Sequence, residues 1–368
     1  MRKYFLYELK KARWQLIIIT AIFTILFGTI AAVMKPQTSF ESYDTSGNLT
    51  VTTITKPTLN SLIGGAMNLM CFIAPVLVYQ FKMNKRTVDC YYALPLKKQK
   101  LYFVKTLVGL LLVLIPFTIA YWATFLIILI KPNNPYNMGW FVPTYFGMIF
   151  FALCLYGFNA FAFTRGNSIV DGIALMIGYQ FVMLLIVLLP WVWSQGDLFS
   201  PIYLLDFVPE WGLGFFTIHM ELRIVGSPVM SELNSIGLTE LNLNVMTFLM
   251  PALRGIAGYG LFFFLLKYDK AEDSQQISDS WFAYRTLIPI FAATIIGLIE
   301  GMLLEISLSV ALVVFVMFAI SVFVLCIVWR RKFAFGKTGW IVFGVSLGAA
   351  VIISIITWLV FRSWGFVV

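Results

Sequence analysis

The sequence predicts an all-α polytopic membrane protein, and three observations carry that prediction. Sixty per cent of the 368 residues are hydrophobic and only 12% are charged, whereas a soluble globular domain is about 25% charged. The apolar residues gather into runs of the roughly 20 residues needed to cross a hydrocarbon core about 30 Å thick. The basic residues gather between alternate runs. Together these features exclude a cytosolic enzyme, a nucleic-acid-binding domain and a disordered chain. The net charge of +9 belongs to the flanks of the runs, so it does not indicate a nucleic-acid partner.

Nine runs read as spans: Gln15 to Val33, Leu62 to Phe81, Thr106 to Ile130, Val142 to Phe163, Ser168 to Trp193, Val245 to Leu266, Thr286 to Leu304, Leu308 to Val328 and Gly339 to Val360. The first is too long for a cleaved signal peptide, and no small-residue cleavage site closes it. Only Glu305, Ile306 and Ser307 separate the seventh run from the eighth. If both cross, they form an antiparallel hairpin; otherwise one of them is re-entrant.

Charge orients the spans. With the N-terminus inside, the inner segments hold 20 of the 26 Lys and Arg residues and seven of the 17 acids. That asymmetry predicts a cytoplasmic N-terminus and an outer C-terminus in the cell membrane. Two outer segments are long. Met34 to Ser61 is rich in Thr and Ser and reads as an ordered loop or short hairpin. The loop 194–244 mixes Pro201, Pro209 and Pro228 with apolar stretches, so it is expected to lie in the interface or dip back into the protein. No internal repeat of the secondary-transporter kind is evident.

Little in the chain suggests catalysis or metal binding. His219 is the sole histidine and lies in the outer loop, and Cys71, Cys90, Cys154 and Cys326 show no paired spacing; neither makes a metal or disulfide framework. Gly336-Lys337-Thr338 fails as a phosphate loop, because Arg331 stands where that motif needs glycine. Asn48-Leu49-Thr50 fits a glycosylation sequon whose meaning depends on source. The GxxxG pairs Gly297/Gly301 and Gly344/Gly348 favour close helix packing within the chain over dimerisation. Asn159 is placed to hydrogen-bond a neighbouring helix, and Asp171 to anchor a helix N-terminus beside Arg165. Arg254 and Glu300 fall roughly 20 and 22 Å from the inner ends of the sixth and seventh spans. Opposite charges at matched depth predict a pair, either for packing near the outer interface or as a polar element on a substrate path.

The richest stretch is NKRTVDCYYALPLKKQKLYFVKTLVGLLL, from Asn84. It resembles the first cytoplasmic loop of ABC-2 type permeases, the membrane subunits of ATP-binding-cassette exporters, in which a short coupling helix precedes a Leu-Pro and a basic, aromatic segment leads into the next span. Leu96-Lys97-Lys98 departs from that family, which often has a small hydroxyl residue followed by Arg. The N-terminal MRKYFLYELKKARW, with Phe5, Leu9 and Ala12 on one face, looks like the family's interfacial elbow helix, and the loop after the fifth span like its outer re-entrant element. The resemblance covers about residues 1–270. It implies an elbow over 1–14, a six-span permease core over 15–268 and three additional spans over 269–368.

The resemblance also implies partners. ATP and Mg would be held by separate cytosolic ATPase subunits, with no cofactor and no catalytic residue on this chain, and a second permease, identical or related, would complete the pathway within membrane lipid. Arg86 and Asp89 would set register on the ATPase, Tyr91, Tyr92 and Leu94 would form its wedge, and Pro95 would stop the helix. Export of an amphiphilic compound or peptide is the function implied. The alternative is an ATPase-independent secondary transporter or a membrane sensor.

Overall fold

The computed structural model describes residues 2–33, 39–43, 49–53, 59–130, 138–193, 220, 245–270, 272, 274–276, 278, 280–302, 308–331 and 336–363. Inside these elements the side chains of both strands, of several helix ends and of Glu300 fall outside the described set. The protein is helical. Its helices are α1 (Arg2–Val33), α2 (Leu59–Tyr79), α3 (Lys85–Tyr92), α4 (Lys98–Ile130), α5 (Phe141–Thr164), α6 (Ile169–Trp193), α7 (Val245–Leu265), α8 (Thr286–Met302), α9 (Leu308–Arg330) and α10 (Lys337–Ser363). Among the described residues eight helices are long and apolar enough to cross a membrane, and α9 adds a shorter apolar stretch over Phe315–Arg330. This is the architecture of a membrane-embedded protein.

Nine of these helices correspond one for one to the nine apolar runs. Two start eight or more residues before their runs. The amphipathic segment from Arg2 onward runs on into the first span within the single helix α1, and α4 begins at Lys98 rather than Thr106. Helix propensity continues through Lys, Gln, Leu and Tyr with no Pro or Gly to stop it. Among the described residues the one β element is a hairpin of β1 (Ser39–Tyr43) and β2 (Leu49–Thr53), paired antiparallel with Ser39 opposite Thr53. Its β-branched Thr and Val residues favour that form, within the segment read as a loop or short hairpin. The outer loop 194–244, apart from Met220, lies outside the described residues, as do His219 and the gap at Glu305–Ser307.

Several Thr and Ser hydroxyl groups inside the spans bond back to their own helices. Thr106 donates to the Tyr102 carbonyl, Thr144 to Trp140, Thr294 to Ile290 and Ser346 to Val342, which is how such residues are accommodated where water is absent.

The chain divides into two compact units. The first comprises Met1–Val78, Leu96–Asn159 and Pro209–Gly260. Here α1 lies along α4 in parallel: Glu8 meets Lys105 near their starts, and Gly28 meets Ile127 near their ends. Asn159 on α5 donates to the Cys71 carbonyl of α2 at 3.2 Å, the interhelical bond expected of it. The second unit comprises Tyr79–Pro95, Ala160–Val208 and Leu261–Val368. In it α8 packs on α6 and α10. A Cβ at Gly297 would stand 2.8 Å from Ile353 and 3.0 Å from Leu189, so this glycine serves packing within the chain. Gly344 and Gly348 meet no described atom within 4 Å. Ile288, Ala292, Ile296, Val322, Cys326 and Ala350 form the core of the additional C-terminal spans.

Candidate functional site

The segment with the most specific sequence signature folds as the eight-residue helix α3. Asn84 caps its start, with extended backbone and a side-chain oxygen accepting from the Arg86 amide at 3.1 Å. Thr87 Oγ1 donates to the carbonyls of Phe81 (2.7 Å) and Asn84 (2.9 Å). The helix closes at Ala93, whose amide donates to the Asp89 carbonyl. Pro95 two residues later stops it, since a residue before proline avoids helical backbone.

The two faces of α3 differ. Val88 is buried, and the Tyr91 ring packs on Phe81 with centroids 4.7 Å apart. Arg86, Asp89 and Cys90 are exposed, as are Leu94 and Pro95 just beyond the helix, while Tyr92 is half-buried. Arg86, Asp89 and the Leu-Pro are therefore all open to the surroundings. Tyr91 is in part an internal packing residue, not a purely exposed wedge.

The root of α3 is a buried ion cluster that the sequence reading missed. A 3₁₀ turn, Gln80–Met83, leads into the helix with Phe81, Lys82 and Met83 buried. Lys82 Nζ pairs with Asp269 Oδ2 at 3.0 Å and also donates to the Thr164 carbonyl. Arg165 Nη2 reaches the same carboxylate oxygen at 3.3 Å. Lys82 and Arg165 are 7% and 4% exposed, so each charge depends on its neighbours in place of water. The signal that could have found the cluster is Asp269 itself, a carboxylate standing between Lys267 and Lys270 at the end of a span.

Further bonds extend this scaffold. Ser278 Oγ donates to the Arg165 carbonyl at 2.7 Å, the Gln275 amide to the Asn167 carbonyl at 2.8 Å, and Trp329 Nε1 to the Ser278 carbonyl at 3.3 Å. Ser168 caps the start of α6: the Asp171 amide donates to Ser168 Oγ (3.2 Å), and that hydroxyl donates to Asp171 Oδ2 (2.8 Å). Asp171 also accepts from Tyr284 Oη at 3.0 Å and Arg331 Nη2 at 3.5 Å. Asp171 thus anchors its helix as expected, while Arg165 turns to Asp269 instead. Four segments that the charge count assigns to one side of the membrane (those of Lys82, Arg165, Asp269 and Arg331) converge within this unit.

Arg254, on the part of α7 in the first unit, is nearly buried, and its guanidinium lies 3.9 Å from the centroid of the Phe158 ring, a cation–π contact suited to a dry site. Its expected pairing with Glu300 lies outside the described residues, because the Glu300 side chain does. The chain matches no protein-family model and no curated protein, so no family membership follows from such a match.

Proposed function

We propose that the chain is the membrane subunit of an ATP-driven exporter of the ABC-2 permease type, with nine spans, a cytoplasmic N-terminus and an outer C-terminus in the cell membrane. It pairs with a second permease, identical or related, and is driven by separate cytosolic ATPase subunits that hold ATP and Mg. The cargo class is an amphiphilic compound or peptide.

The observation that supports this reading is α3 on its buried root. A motor must push on a short, stiff element joined to the spans, and it needs exposed charge to set register and apolar side chains to bury. Arg86 and Asp89 offer the charge, Leu94 and Pro95 the apolar end, and the Lys82–Asp269–Arg165 cluster ties the root of α3 to neighbouring helix ends.

The test follows from the two faces. Arg86→Glu with Asp89→Lys alters only the exposed face, so the chain should insert and purify normally yet lose stimulated ATP turnover by its ATPase partner. Lys97→Gln with Lys98→Gln, at exposed positions beyond Pro95, should retain it. A charge-reversed α3 that still supports full stimulated turnover would leave this helix as an inner-face anchor only.

A further inference from the structure

Beside the ion cluster of the second unit lies a cleft of about 650 Å³ whose lining includes Lys82, Arg165, Lys270, Asp269, Tyr268 and Trp281. We infer that this cleft binds the phosphate of an anionic phospholipid headgroup. The inference is independent of which motor, if any, drives the chain.

The first argument is charge. The described lining residues carry three cations against the single carboxylate of Asp269. Two of those cations are over nine-tenths buried, where an excess of one sign is costly. Arg165 Nε is itself buried and has no hydrogen-bond partner among the described residues. Arg165 lines the cleft, and the planar fork of a guanidinium is well matched to the oxygens of a phosphate.

The second argument is position. Four candidate spans end at the cleft or next to it: Leu62–Met83 beside Lys82, Met138–Thr164 at Thr164, Phe248–Tyr268 at Tyr268 and Trp281–Ile299 at Trp281. The cleft therefore sits at the boundary of the hydrocarbon layer, at the level of the headgroups. Tyr268 and Trp281 are 61% and 72% exposed, the arrangement of aromatic side chains that mark that boundary. Basic pockets between helix ends at this level recognise lipid phosphates. A soluble phosphate offers the same oxygens but no acyl chains to lie along the exposed apolar flanks of these helices.

The test uses the full-length protein, delipidated in mild detergent and then given phosphatidylglycerol or phosphatidylcholine, with bound lipid read by native mass spectrometry. Phosphatidylglycerol should be retained selectively. Lys270 is exposed, so Lys270→Gln should leave the fold intact and weaken that retention about fivefold, the effect of one cation near a membrane surface, while Lys270→Arg should restore it. Arg165→Gln should abolish selectivity in whatever fraction folds. Equal retention of the two lipids, or unchanged retention in Lys270→Gln, would overturn the site. Displacement of phosphatidylglycerol by millimolar inorganic phosphate would overturn the lipid assignment.

Discussion

At the scale of single residues, the first unit is fastened by an ion pair hidden in what looks like a polar helix face. Glu8 Oε2 lies 2.6 Å from Lys105 Nζ with both side chains at most 6% exposed, and Tyr4 Oη donates to the other carboxylate oxygen at 2.9 Å. Phe5, Leu9 and Ala12 flank Glu8 on the packed side of α1, while Arg2, Lys3, Lys10, Lys11 and Arg13 are exposed. Glu8 therefore shares the packed face of α1 with these apolar residues. In a sequence, a lone acid among five bases reads as solvated charge, and only the partner from α4 reveals its burial. Removing one member leaves a buried charge uncompensated, so Glu8→Gln should destabilise the protein by about 3–5 kcal/mol. Glu8→Leu with Lys105→Met should recover most of that loss, because an apolar pair needs no compensation. Unfolding in a denaturing-detergent titration gives the cycle; additive losses would mean that the two side chains do not interact.

At the scale of elements, span existence was legible but span pairing was not. Length and hydropathy set where a helix crosses. A helix that is apolar all round gives no preferred face, so packing depends on small residues that permit close approach. The GxxxG pattern at Gly344/Gly348 reads as a contact yet meets no described neighbour, whereas Gly255 and Gly258, three residues apart, bring α7 against the backbone of α5. A Cβ at Gly255 would stand 2.7 Å from Cys154 Cα, and one at Gly258 would stand 2.8 Å from Phe158 Cα. Backbone cannot yield as a side-chain tip does. Gly258→Ala should therefore cost on the order of 1–3 kcal/mol by overpacking. Gly260→Ala, two residues along the same helix with nothing within 4 Å, should be neutral or slightly stabilising, since alanine is the better helix former. Thermal unfolding of the two variants side by side checks this, and equal midpoints would mean that α5 and α7 do not cross at Gly258. The site divides in the same way. The outline of α3 follows from Asn84, Thr87 and Pro95, which are local signals. Its anchoring through Asp269 is a contact between residues 187 apart in sequence, beyond the reach of any local pattern.

At the scale of the whole molecule, topology decides whether α3 can meet a nucleotide-driven partner. Charge asymmetry assigns the segments of Lys82, Arg165, Asp269 and Arg331 to one side; Lys82 and Arg165 meet at Asp269, and Arg331 meets Asp171, which agrees with their shared side but leaves its identity to the positive-inside rule. The chain carries its own reporter. Cys90 is exposed on α3, Cys71 and Cys326 are buried, and Cys154 is half-buried within α5. A membrane-impermeant maleimide should leave the protein unlabelled in intact cells and label Cys90 once inverted vesicles expose the inner face. Cys90→Ser should abolish that second signal, which separates it from slow reaction at Cys154. On that background Thr50→Cys, in the hairpin between the first two spans, should label in intact cells and not in sealed inverted vesicles. The two positions are separated by α2 alone among the candidate spans, so opposite accessibility follows if α2 crosses once. Labelling of Cys90 from outside intact cells would invert the topology. It would put α3 on the face without ATP and remove the ATP-driven reading, while leaving the helix packing within each unit as it stands.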